Sequence, residues 1–386
     1  VIAAALLRDR RAEAARAFAA LPMPTPALRP WRYVDLAGLD LGAVAPGGVS
    51  VTVEGAPAGG VYVGSLAAGV AQVAAAEARL GALLPATEGR FLAANAAQWS
   101  EGLLVHVPRG AAMEQPVQVT IDASAAAGGV AYPRVLVIAE EQGEIPIVLR
   151  LVSGDASTVV AGAIEVFAAQ AAKVKLLIDE RWGAQTRDFT WIRARLDRDA
   201  DVQVASIAMG GLLVKQTIEV LMEGEGASSG IRAVALGDGE QHFDFVTLQD
   251  HVGPSTSSVV EVKSALAGAS RQAYYGVTRV SETAKGADAD QTNRNLLISG
   301  EAKADSDPVL EILTADVVRC GHHAAVGPVD PEALFYLQSR GLDMRGALQQ
   351  LIAGFFHSVV SEAGTPGLDE DELTERVQAK LATAAL

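Results

Sequence analysis

One short run, Arg319-Cys320-Gly321-His322-His323, gathers the residue types best suited to holding a soft metal. If it forms a strand, side chains two positions apart share a face, which sets Cys320 beside His322 with Cα atoms about 6.5–7 Å apart. A thiolate next to an imidazole suits iron or an iron–sulfur fragment, but two donors cannot complete a tetrahedral site. Cys320 is the only cysteine, so one copy of the chain has neither a disulfide nor four thiolates for a cluster. The missing ligands would have to come from another chain or from sulfide. The competing reading is a buried structural cysteine with a hydrogen-bonded histidine. His323 is the weaker candidate, an added imidazole that leaves open which ring would face a metal.

The other chemical signals are isolated. His106, His242, His251 and His357 have no ligand partners at set spacing and read as structural. Gly226-Ala227-Ser228-Ser229-Gly230 matches the nucleophile-elbow expression. That chemistry needs a strand before it and a helix after it, whereas here a polar turn precedes and a strand follows. No glycine-rich loop ends in Gly-Lys-Ser/Thr, so the chain should not hydrolyse nucleotide alone. Asp288-Ala289-Asp290-Gln291-Thr292-Asn293 starts like a calcium loop but has Thr292 where an acid or amide is needed, and reads as a solvated turn.

Three regions must position these residues: 1–97, 98–328 and 329–386. The first is alanine-rich and helical in pattern. Leu7, Ala14, Phe18 and Leu21 lie near one stripe that stops at Pro22, Pro24 and Pro26, Trp31 and Tyr33 follow in an extended or turn segment, and a second helix is expected over Ser65–Leu84. In the second region short apolar and β-branched runs repeat between turn signals, among them Leu103–Val107, Arg134–Ile138, Asp201–Ile207 and Ile231–Leu236. Only Asp238-Gly239 is a clean hairpin turn, which favours stacked parallel coils over a sandwich or barrel. In the third region Asp330 can cap a helix that Pro331 opens and Gly341 closes. The next helix carries Met344, Leu348, Leu351, Ile352, Phe355 and Val359 on one face. A last helix opens at Asp369-Glu370-Asp371-Glu372 and packs through Leu373, Val377 and Leu381, these helices being expected to pack on one another.

Lys and Arg number 31 against 46 Asp and Glu, a net charge of −15, which argues against nucleic acid or acidic lipid as a partner. The run Val1–Leu7 is too short for a signal-peptide core or a membrane span, and no other apolar run approaches spanning length, so a cytoplasmic protein is expected.

From Gln241 onward the chain resembles the SufB/SufD family. The resemblance is carried by Gln241-His242-Phe243-Asp244, His251, Ser257-Ser258 and Lys263, then by Gln291-Thr292-Asn293-Arg294-Asn295-Leu296-Leu297, Pro308–Ile312, Cys320–Gly327 and Glu332–Gly341. Trp31–Leu36 and Gly102–Pro108 extend it over nearly the whole chain. The short N-terminal region, the lack of further cysteines and the form of the Gln291–Leu297 motif resemble SufD more than SufB. The family's usual Cys-Ser-His-Gly-Ala-Thr-Val-Gly has Gly321, His323 and Ala325 at its second, fourth and sixth positions here.

The resemblance implies a mainly β fold, a right-handed parallel β-helix (β-solenoid) with N- and C-terminal helical regions. It implies a non-catalytic scaffold of the SUF iron–sulfur cluster assembly complex, pairing with SufB at the β-helix end and binding the SufC ATPase through the C-terminal helices. ATP-driven closure of paired SufC subunits would then strain and open the SufB–SufD junction. Cys320 and His322 would be iron or cluster ligands at that junction. Leu334, Phe335, Leu337, Arg340, Leu351 and Phe355 would be partner-binding residues. Iron or a cluster would be held only transiently, in the assembled complex, and the chain alone could form a homodimer. The alternatives are a SufB-like scaffold working without a distinct partner and an exported-type β-helix enzyme acting on carbohydrate.

Overall fold

The computed structural model describes residues 2–55, 57, 59–362 and 370–384. Its centre is a parallel β-solenoid made of two sheets facing each other across a lumen. One sheet has nine strands, running in space Ser50–Glu54, Val117–Asp122, Glu144–Val152, Lys173–Arg181, Asp201–Ala208, Ser228–Gly237, Ser257–Leu266, Ala287–Leu297 and Val317–Pro328. The other has ten, from Lys303–Ile312 back through Arg271–Val280, His242–His251, Leu213–Met222, Thr186–Leu196, Thr158–Ala168, Arg134–Ala139 and Gly102–Val107 to Tyr62–Ser65, with Val130–Ala131 alongside. The chain crosses from one sheet to the other at each turn. Residues one coil apart therefore stand side by side, as Ser228 stands by Ser257 and Ser257 by Asp288.

Inward-facing Val, Ile, Leu and Ala fill most of the lumen, and each fully buried Val, Ile or Leu contributes about 1.5–3 kcal/mol. The non-glycine residues Gln142, Ala171, Asp199 and Ser255 take positive φ at corners of the solenoid, with Gly226 at the corner between the last two. Asp238-Gly239, a hairpin signal in the sequence, instead turns the corner from one sheet to the other, with Gly239 at φ +57.

The first coil is covered. Two strands that the alanine-rich pattern hides, Ser50–Glu54 and Tyr62–Ser65, pair antiparallel with Val117–Asp122 and Gly102–Val107. Around them pack the helices α1 (Ile2–Ala20), α2 (Leu66–Gln72), α3 (Ala74–Arg79) and α4 (Arg90–Gln98). The single helix expected over Ser65–Leu84 is broken at Val73, whose extended backbone separates α2 from α3. Trp31 fixes the segment after α1, its ring 5.3 Å from Phe91 and 6.1 Å from Phe189 between centroids. Below it Lys215 donates to the Pro30 carbonyl at 2.5 Å and to Asp244 at 2.7 Å.

The C-terminal helices are α5 (Pro331–Ser339), α6 (Met344–Glu362) and α7 (Glu370–Thr383). Asp330 caps α5 by accepting from the Glu332 amide at 2.9 Å, and Gly341 follows at φ +98. Asp369, placed by its sequence at the start of the last helix, lies outside the described residues. Rather than packing only on each other, α6 and α7 lie on the outer face of the nine-stranded sheet. There Leu348, Ile352, Phe356, Val359, Leu373, Val377 and Leu381 are buried, most of them against Val234, Leu236 and Ala265. Phe356 is fully buried in this core while the neighbouring Phe355 packs against its edge half-buried, and Met344 is exposed.

Candidate functional site

Among the described residues nothing covers the far end of the solenoid. Its last two strands, Lys303–Ile312 with 10 residues and Val317–Pro328 with 12, each pair on one side only. An uncovered strand edge presents a row of unpaired backbone donors and acceptors to a partner chain. Pro308 is tolerated there because the outer edge needs no donor from it. The same end exposes apolar side chains: Leu313 is 62% exposed, Val318 72% and Val326 45%.

Cys320 and His322 stand on this final strand. Cys320 is in register with Ala289 and His322 with Gln291, both buried, so the two side chains share the lumen-facing side. Cys320 is half-buried against Val280, Ala284 and Ala287, while His322 is exposed at the open mouth. His323 takes the opposite face, with its Nε2 3.8 Å from Asp290. The alternation therefore groups Cys320 with His322 and sets His323 apart. Burial, and then the charge of Asp288, push the Cys320 thiol above its ordinary pKa, so the free thiol is poorly ionised at neutral pH. Arg319 is paired with Asp288 at 3.0 Å. Among the described residues no three of His, Cys, Asp and Glu converge to hold a metal.

Beneath the mouth the lumen turns polar. Residues 288–293, read from sequence as a solvated turn, belong instead to the strand Ala287–Leu297 and send Gln291, Asn293 and Asn295 inward. Gln291 accepts from the Thr278 hydroxyl at 3.0 Å, and Tyr274, fully buried, shares a hydrogen bond with Thr247 at 3.0 Å. Gly276 leaves the space these groups occupy: a Cβ there would lie 2.2 Å from both the Gln291 amide nitrogen and the Tyr274 hydroxyl. Two coils below Cys320, His251 is held by Thr256 and Ser258, each at 2.8 Å. Burial lowers it to about 4, so the ring is neutral. Sequence patterning missed this layer because its inward positions are amides and hydroxyls rather than hydrocarbons. The inward positions of the strand motifs, Gln291 and Asn293 above all, were its only signal.

The residues expected to bind partners fall in two groups. On α5, Phe335 is 72% and Tyr336 56% exposed, Leu334 and Leu337 are half-buried, and Arg340 stacks on Tyr336 with 5.2 Å to the ring centre. On α6, Leu351 and Phe355 are half-buried. Phe355 lies against the core under α6, and its carbonyl accepts from Lys263 at 3.0 Å. His106 is half-buried 3.7 Å from Glu140, His242 sits at a strand start, and His357 lies exposed on α6. Ser228 and Ser229 open a strand, so the elbow pattern has no helix behind it. No described helix is long and apolar enough to cross a membrane.

Comparison with known proteins places this architecture. Residues 120–355 match the family described as "SUF system FeS cluster assembly, SufBD core domain". An iron–sulfur cluster assembly SufBD family protein of Mycobacterium tuberculosis is 30% identical over 362 residues, 91% of this chain and 87% of that protein. A SufBD family protein of Mycobacterium leprae is 31% identical over 214 residues, 54% of this chain and 55% of its own length. The iron–sulfur cluster assembly protein SufB of Bacillus subtilis is 26% identical over 282 residues, 72% of this chain and 60% of SufB.

Proposed function

The chain belongs to the SufBD family of SUF-system iron–sulfur cluster assembly proteins, and from that premise we propose that it is a non-catalytic scaffold subunit of the SufD kind. It pairs with SufB through the open end of the solenoid and binds the SufC ATPase through the C-terminal helices, in the cytoplasm. The observation that carries this reading is the uncovered final coil, whose two strands each have one free edge and whose last strand bears Cys320 and His322 on one face. A second chain continuing the sheets there would cover the exposed Val326 and bring further donors to the thiol and imidazole. Iron or a nascent cluster is then cargo shared across the junction. It is held only while the complex lasts, because two ligands from this chain are too few.

The thiol's raised pKa fits this role. In the free chain Cys320 stays protonated and resists oxidation, and a metal displaces the proton only when the partner's donors are in place. The exposed ring pair Phe335 and Tyr336 on α5 gives the ATPase a docking face close in sequence to the final strand. Closure of two ATPase subunits would thereby pull on the junction itself.

The similarity to Bacillus subtilis SufB supports a second reading, a SufB-like scaffold that works without a distinct partner. Native mass spectrometry of the chain alone, with SufB, and with SufB and SufC separates the two. The SufD reading expects a 1:1 pairing with SufB that Val326→Asp abolishes. A chain that ignores SufB and forms only its own dimers would refute it.

A further inference from the structure

Between α1 and the first coils of the solenoid lies a cavity of about 270 Å³ that the scaffold role does not use. Leu7 and Ala14 of α1 line one side, Leu84 and Trp99 the other, so much of the wall is hydrocarbon. Three arginines interrupt it: Arg10 and Arg11 from α1, and Arg134 from the ten-stranded sheet. Each is held in place by the protein itself. Arg10 donates to the Leu80 carbonyl and Arg11 to the Trp99 carbonyl, both at 2.8 Å, and Arg11 also stacks on the Trp99 ring at 4.7 Å. Arg134, only 2% exposed, donates to Asn95 and Glu165, both at 2.9 Å.

Those bonds leave donors over. The Nε atoms of Arg11 and Arg134, one from the helix wall and one from the sheet wall, are buried without a partner. Charge is left over too, and it is permanent because a guanidinium stays protonated at every working pH. Three guanidiniums meet two carboxylates, Glu165 on Arg134 and Glu13 at the exposed rim, which leaves one positive charge in excess. That reverses the sign of the chain as a whole, whose net charge is −15. Buried donors without acceptors are costly, and water that meets them gains nothing from the apolar wall. A carboxylate with a hydrocarbon body satisfies both, since its planar acceptor matches the guanidinium and its body covers the wall. A phosphate dianion would exceed the single charge and leave the hydrocarbon bare. Volume sets the size: the cavity exceeds the about 150 Å³ that admits benzene and falls short of the about 300–1,000 Å³ of drug-sized sites.

We infer that this cavity binds one small monocarboxylate with an apolar body, a short fatty acid or an aromatic acid, its carboxylate between Arg11 and Arg134. Arg10 and Arg11 also tie α1 to the chain around it, so an occupied site fastens the helical cover to the first coil. The site stands apart from Cys320 on the last coil and does not rest on the assignment of partners.

Isothermal titration calorimetry of the full chain with octanoate and with benzoate tests this. At least one acid should bind 1:1, about tenfold or more tighter than octanol or benzyl alcohol, which keep the body and lack the charge. The tighter of the two acids tells a chain-shaped ligand from a ring. Arg11→Gln should weaken binding about tenfold or more, and Ala96→Leu, which fills the cavity from α4, should abolish it, with circular dichroism confirming each fold. A second measurement needs no variant: the bound acid should slow hydrogen exchange over residues 7–20 and 80–99 and leave 303–328 unchanged. No binding of either acid at about 10 mM, or equal binding of acid and alcohol, would overturn the inference. Binding unchanged in both variants, or slowed exchange confined to the last coil, would overturn it equally.

Discussion

Removing the Glu165 carboxylate should loosen the N-terminal helices from the solenoid at a cost that is a large fraction of a domain's stability. Glu165 is 0% exposed and accepts from the backbone amides of Gly81, Leu83 and Leu84 at 2.8, 2.9 and 3.2 Å. It also receives Arg134, itself 2% exposed, at 2.9 Å, and Arg134 in turn donates to Asn95 at 2.9 Å. Asn95 completes the link by donating to the carbonyls of Pro133 and Ala161 at 2.9 and 2.8 Å. One carboxylate therefore ties the chain after α3 to the ten-stranded sheet, and through Arg134 it ties α4 as well. Losing one partner of a buried ion pair costs about 3–5 kcal/mol, and each buried amide left bare costs about 1–3 kcal/mol before relaxation. Glu165→Gln keeps an acceptor for the amides but strands the Arg134 charge, so a loss of roughly 3 kcal/mol is expected. Glu165→Leu removes both and should cost about 5 kcal/mol or more, against a typical total of about 5–15 kcal/mol. Urea unfolding followed by tryptophan fluorescence reads the effect, because Trp31 and Trp99 lie in the helical cover and Trp182 lies inside the solenoid. The double variant Arg134→Met/Glu165→Leu should recover about 2 kcal/mol, since no charge is then stranded. A loss below about 1 kcal/mol for Glu165→Leu would refute the reasoning.

Three further outcomes follow from other parts of the molecule. Lys380 of α7 is half-buried and donates to the Met209 carbonyl and to Gln241, and desolvation lowers it to about 8. The unfolded chain binds that proton up to about pH 10.5, so stability should rise between about pH 8 and 10.5, by at most roughly 3 kcal/mol. Lys380→Met should flatten that rise in pH-dependent urea titrations. Phe335→Asp and Tyr336→Asp on exposed α5 should change stability by less than about 0.5 kcal/mol while weakening SufC binding at least tenfold by calorimetry. Alkylation of Cys320 by iodoacetamide should follow an ionisation above that of an ordinary thiol, and Asp288→Asn should move the profile toward lower pH because it removes the nearby negative charge.

The solenoid was legible where its inward positions are hydrocarbon. Runs such as Arg134–Ile138 and Ile231–Leu236 announce strands, and the lack of hairpin turns points to stacked coils. Legibility fails where the lumen turns polar. Ala287–Leu297 alternates Asp288, Asp290, Thr292 and Arg294 outward with Gln291, Asn293 and Asn295 inward, so neither face is apolar and the strand resembles a turn. The two covering strands, Ser50–Glu54 and Tyr62–Ser65, are short and lie inside a region whose flanking alanine-rich segments read as helical, so the whole region reads as helix. In α6 the adjacent rings Phe355 and Phe356 lie about 100° apart around the helix, and a shallow stripe does not decide which turns inward. At the site, the shared face of Cys320 and His322 follows from strand periodicity alone. Their position on an uncovered final coil does not, because nothing local to the motif marks the last turn of a stack.

The most direct test of the central claim is the iron and acid-labile sulfide bound by the complex reconstituted with SufB and SufC. Wild type would be compared with Cys320→Ala and His322→Ala, with assembly checked by native mass. The account predicts complexes that assemble equally in all three and lose most of their iron and sulfide in both variants, with His323→Ala close to wild type. Full cluster content in the Cys320→Ala and His322→Ala complexes would contradict it.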